Sequence, residues 1–144
     1  MLFRSDADAR IPAEWLPDES LRLRMYKRLA SSRDLAEVAQ LAGEMADRFG
    51  RPPVGVERLL TLMRIKVRAR DLGLALVGLR AGTAQVIAAG GHEASIPRLR
   101  AAAESRAFRV QSAEPDRLRL VVPRGVEGDA ALSLLEDLLR QASA

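Results

Sequence analysis

At 144 residues the chain has the length of one ordinary domain, and 48% hydrophobic with 29% charged residues is the composition of a globular protein with a real apolar core. Its 23 basic and 19 acidic residues leave a net charge of +4, which permits an acidic partner without demanding one. The absence of cysteine and the single histidine, His92, exclude disulfides, thiol catalysis, zinc fingers and iron–sulfur clusters, and 3% aromatic residues are too few for a base-stacking surface.

Residues 1–10 carry no apolar signal core and read as a linker or a remnant of cloning, outside the fold. No segment approaches the ~18 apolar residues that cross a bilayer, so a cytoplasmic protein with no membrane contact is expected. A first helix is predicted over 18–30, started by Pro17-Asp18, with Leu21, Met25 and Leu29 on one face. Ser31-Ser32 breaks it, and either serine can cap a second helix over 33–49 with Asp34 in its first turn. There Leu35, Val38, Ala42, Met45 and Phe49 form an apolar stripe, which makes Phe49 a core residue. Glu37, Gln40, Glu44 and Asp47 lie opposite, and Gly50 with Pro52-Pro53 ends the helix.

The third helix, 54–72, has two apolar stripes: Val56, Leu59, Leu60, Met63 and Val67, then Leu62, Ile65, Ala69 and Leu72. Beyond Gly73 the period becomes β-like. Leu74–Leu79 and Thr83–Ala88 flank Arg80-Ala81-Gly82, Ser95 caps a helix over 96–104, and Phe108–Gln111 pairs with Arg117–Val122. A helix over 129–142 closes the chain. The fold class expected is α+β: three N-terminal helices, then a small antiparallel sheet with two further helices, with 11–144 as a single domain.

Catalysis finds no support. Gly90-Gly91-His92 lacks the Gly-Lys-Ser/Thr end of a phosphate loop, His92 has no second histidine to share a metal, and Glu136-Asp137 reads as solvated. The cations Arg22, Arg24, Lys27 and Arg28 do not share one helix face, and Arg64/Arg68 lie on a different edge from Lys66/Arg70. A phosphate-tracking surface needs a continuous stripe, so DNA binding is expected to be weak at most. The acidic stripe of the second helix reads either as a wet face or as a binding surface.

Ile11-Pro12-Ala13-Glu14-Trp15-Leu16-Pro17-Asp18, Leu21-Arg22-Leu23-Arg24-Met25-Tyr26-Lys27-Arg28 and Asp47-Arg48-Phe49-Gly50 with Pro53 together resemble the C-terminal domain of the bacterial transcription-repair coupling factors, the Mfd family. Leu59-Leu60 and Leu72-Gly73-Leu74 continue the likeness. Trp15 stands where the family has tyrosine, Gly43 and Ala46 where larger residues are usual, and Arg58 where asparagine is common.

The resemblance implies a terminal, non-catalytic piece of an ATP-driven DNA translocase that couples transcription to nucleotide excision repair of DNA damage. In the family this domain packs on the UvrB-like module of its own chain. There it masks the surface that binds UvrA and restrains the motor until RNA polymerase is engaged. Carried onto this sequence, the interface residues implied are Glu44, Asp47 and Arg48, with Gln40 and Glu37 on the same helix. A monomer without metal or cofactor is expected. The alternative is a nucleic-acid-binding accessory domain using dispersed arginines.

Overall fold

The apolar periods become helices in a computed structural model that describes residues 1–144. The elements run β1 (Leu2–Ser5), α1 (Glu19–Ala30), α2 (Leu35–Phe49), α3 (Val54–Asp71), β2 (Leu74–Arg80), β3 (Thr83–Ala88), α4 (Ser95–Ser105), β4 (Arg109–Glu114), β5 (Arg117–Val121) and α5 (Asp129–Ser143). They form two compact units, one spanning Ala7–Val67 and one made of Met1–Asp6 with Arg68–Ala144.

In the helical unit, the Asp18 carboxylate caps α1 by accepting from the Leu21 N–H at 3.2 Å. The expected serine cap of α2 is not made. The Ser31 and Ser32 hydroxyls instead donate back to the carbonyls of Lys27 and Arg28 at 2.7 and 3.1 Å, so they close α1. Asp34, the next short polar residue with an extended backbone, takes the capping role. Leu16, Leu29, Val38, Met45 and Val56 are all at most 2% exposed and anchor the core of this unit. The segment before α1 joins that core through a turn in which the Trp15 and Leu16 N–H groups both donate to the Pro12 carbonyl. The Ile11 N–H donates to the Tyr26 phenolic oxygen at 2.6 Å.

In the other unit, a five-stranded sheet has the order β1-β2-β3-β5-β4. The chain crosses from β2 to β3 through Ala81 and Gly82, both at positive φ (49° and 77°), as a two-residue hairpin with right-handed strand twist requires. Val77, Leu79, Ala84, Val86, Leu118 and Leu120 are the buried face of the sheet, and α4 packs on β4, β5 and α5. Ser95 opens α4 but does not cap it; its hydroxyl donates to the Leu72 carbonyl at 2.6 Å.

The expected order of three helices followed by an antiparallel sheet is corrected here. The sheet is mixed, and a strand precedes the helices: residues 2–5, set aside as linker, form β1, parallel to β2 in the register Leu2↔Leu76 to Ser5↔Leu79. Four residues hold too little alternation to announce a strand, and the partner that defines it lies beyond all three helices.

Gly73 is the one glycine whose lack of a side chain the fold demands twice. Its φ is +72°, and a Cβ there would overlap the His92 side chain, which lies directly against it. Gly73→Ala is therefore expected to cost ~1–3 kcal/mol for the left-handed backbone, plus the overlap. Urea unfolding of Gly73→Ala with and without His92→Gly separates the two contributions, because the overlap includes the His92 Cβ at 2.5 Å and only glycine at 92 removes it.

Candidate interaction surface

α2 owes its position to a closed set of local bonds. The Asp34 carboxylate accepts from the Glu37 N–H at 2.9 Å. Glu37 reaches back to accept from the Arg33 N–H at 2.7 Å and pairs with the Arg33 guanidinium at 3.1 Å. This reciprocal arrangement satisfies donors that the first helical turn leaves open. At the other end Gly50, at φ +88°, lets its N–H donate to the Ala46 carbonyl at 2.9 Å and stops the helix. Val38, Leu41 and Met45 are buried between these ends.

The solvent side carries the sequence-predicted residues in three different states. Glu37 is committed to the N-terminal cap. Glu44 pairs across helices with Arg28 of α1 at 3.0 Å, with both side chains partly exposed (38% and 47%). Gln40 and Asp47 are exposed and carry no hydrogen bond or ion pair. Arg48, one turn beyond Glu44, does not hold that carboxylate; its guanidinium lies over the Phe49 ring, 5.2 Å from the centroid.

Phe49 itself is half-buried rather than central. It packs on the helical core and meets Trp15 edge-on, with centroids 5.6 Å apart and an interplanar angle of 66°. An apolar stripe reports which way a residue faces but not that it sits at the rim, which is why the periodicity placed it inside. The sequence reading also missed Arg28 as the partner of Glu44, since no spacing rule links residues on different helices.

The cations of α1 are divided in the same way. The Arg22 guanidinium donates to the carbonyls of Leu16 and Pro17 at 2.8 and 3.0 Å, and Arg28 is spent on Glu44. Arg24 and Lys27 remain exposed and unpaired. No group of three or more His, Cys, Asp or Glu residues could hold a metal ion, and no helix is long and apolar enough to cross a membrane. His92 is an exposed loop residue.

The model of the TRCF domain family matches residues 5–99, a stretch that contains all of α1, α2 and α3. The chain belongs to the TRCF domain family. The transcription-repair-coupling factor of Myxococcus xanthus is 32% identical over 139 residues, covering 94% of this chain and 11% of that protein. The factor of Staphylococcus epidermidis is 34% identical over 80 residues, covering 56% of this chain and 7% of its own length. The TRCF-domain chain thus spans about a tenth of the relatives it matches. A crystal structure of the C-terminal domain of a transcription-repair coupling factor superposes with a TM-score of 0.84, covering 97% of this chain and 89% of that one at 14% identity, which shows a shared fold.

Two substitutions test the local account of this TRCF-domain surface. Phe49→Ala should cost ~1–3 kcal/mol, below the ~3–5 kcal/mol of a fully buried phenylalanine, and should change the emission of the single tryptophan, Trp15. Glu44→Ala should move stability by no more than ~1 kcal/mol, the range of an exposed ion pair. Thermal or urea unfolding followed by tryptophan fluorescence reads both.

Proposed function

We propose that this domain is the non-catalytic, autoinhibitory interaction module of a bacterial transcription-repair coupling factor, acting in the cytoplasm as part of a larger chain. It rests on the UvrB-like module of that chain, masks the surface for UvrA and restrains the translocase until RNA polymerase is engaged. The observation that supports the reading most directly is the solvent side of α2. Asp47 and Gln40 are exposed and unpaired, Arg48 is exposed beside them, and Glu44 stands one turn away.

The geometry ranks these residues. Glu44 already has a cation in Arg28, so a partner must share it; Asp47 has none and gains most from a basic surface. Losing one carboxylate of a desolvated interfacial pair costs ~2–5 kcal/mol, part of it the penalty of leaving the other charge unpaired. In the full-length factor carrying this domain, Asp47→Ala should increase UvrA pull-down and raise basal ATPase without polymerase. Glu44→Ala should do so more weakly, and the double variant most. Equal pull-down by folded wild-type and double-variant proteins overturns the reading.

The accessory nucleic-acid reading makes an opposite prediction. With Arg22 and Arg28 spent internally, this chain should bind duplex DNA no more tightly than ~10⁻⁴ M at physiological salt. A gel shift at micromolar protein that survives moderate salt would favour that alternative.

A further inference from the structure

The open face of the mixed sheet carries a feature that the α2 surface does not involve. Register aligns Arg4 of β1 with Gly78 of β2, Gly78 with Gln85 of β3, and Gln85 with Arg119 of β5. These four positions form one row across four strands, with Arg4 and Arg119 three strand spacings apart, about 14 Å. Arg80 lies two residues from Gly78 along β2, so its side chain shares that face, and its partner in the next row is Thr83. At the middle of this triangle of arginines stands a glycine. The result is a depression of about 340 Å³ lined by Arg4, Arg80, Arg119, Gln85, Thr83 and Leu76.

The side chains of the three arginines have no hydrogen bond or ion pair. This is a selective vacancy. Arg117, two residues from Arg119 on the same strand, is held by Asp116 at 3.0 Å and faces Glu114 at 3.7 Å. The same bond holds the Asp116 carboxyl below its ordinary range and raises Arg117. Where an anion was needed locally the chain supplies one; around the depression it supplies none.

We propose that this face docks an acidic segment of a protein partner, whose carboxylates seat on Arg4, Arg80 and Arg119 while its apolar side chains cover Leu76 and Ile87. The inference is independent of the function proposed for α2. Charge complementarity carries it, and the rest of the patch selects a protein over a nucleic acid. Every cation here is arginine, whose planar fork matches carboxylates two bonds at a time and which is enriched in protein interfaces. The half-buried Leu76 and Ile87 are paired neighbours on the same face, giving an apolar floor beside the charges. No aromatic residue lies on this face to stack a base, and the arginines ring a hollow rather than follow a backbone track.

The test is fluorescence anisotropy of the 144-residue chain with two labelled probes, a dodecapeptide of repeated Glu-Glu-Leu and a short duplex DNA. The wild-type chain should bind the peptide in preference to the duplex. Arg80→Ala/Arg119→Ala should weaken peptide binding roughly tenfold or more. Gly78→Val should weaken it too without changing charge, because it fills the hollow. A Cβ at Gly78 meets only the Arg4 carbonyl at 3.8 Å and Leu76 Cδ2 at 4.0 Å, so the sheet tolerates it. Arg24→Ala/Lys27→Ala, which removes the same charge from α1, should bind as wild type. Circular dichroism establishes that each variant is folded. The proposal is overturned if the wild type fails to bind the peptide, if both sheet variants bind it unchanged, or if the α1 variant loses as much. Tighter binding to the duplex that the sheet variants abolish would overturn it in favour of a nucleic-acid track.

Discussion

The hydrogen bond from the Ile11 N–H to the Tyr26 phenolic oxygen is the constraint through which the helical unit organises its surface. It ties the segment before α1 to the middle of that helix, and the Pro12 turn then carries Leu16 into the core at 1% exposure. The same turn brings Trp15 against Phe49, and Phe49 supplies the ring over which Arg48 lies. The orientation of a charged residue at the end of α2 therefore traces back to a backbone donor more than thirty residues earlier. This also gives the aromatic positions of the family motif a physical role: they are the joints that set the α2 face at one angle.

Several arginines are spent on partners within the chain. Arg33 closes the α2 cap, Arg22 binds two carbonyls that would otherwise be exposed, Arg28 meets Glu44, and Arg117 meets Asp116. Such exposed pairs contribute little stability individually, but they decide which charges remain for partners. After this pairing Asp47 on α2 and the arginines of the open sheet face are left without a counter-charge of their own, one in the helical unit and the others in the sheet unit.

Much of the helical unit was legible because amphipathic periods and caps are local. Leu21, Met25 and Leu29, or Val38 and Met45, need only 3.6-residue spacing to declare a face, and Gly50 with Pro52 declares a stop. The β2–β3 hairpin was legible through Arg80-Ala81-Gly82. What the sequence hid depends on contacts between distant segments. Nothing in Leu2-Phe3-Arg4-Ser5 indicates a parallel pairing with residues 76–79. Nothing in the spacing of Glu44 and Arg48 indicates that Arg28 wins the carboxylate. On α2, the placement of Glu37, Gln40, Glu44 and Asp47 opposite the apolar stripe was readable, while the division into Glu37 and Glu44 already bonded and Gln40 and Asp47 free was not.

The position of β1 also orders events in time. Its partner strand β2 is reached only after the chain has passed through α1, α2 and α3, so this pairing closes the longest loop in the sheet, whereas β2–β3 and β4–β5 close hairpins of two residues. Loop-closure entropy makes the hairpins early and the parallel edge late. During synthesis the first strand must wait, unpaired, until its neighbour leaves the ribosome. Arg4 arrives with it and Arg119 follows on β5, so the hollow on the open face is complete only when both of its outer strands are in place.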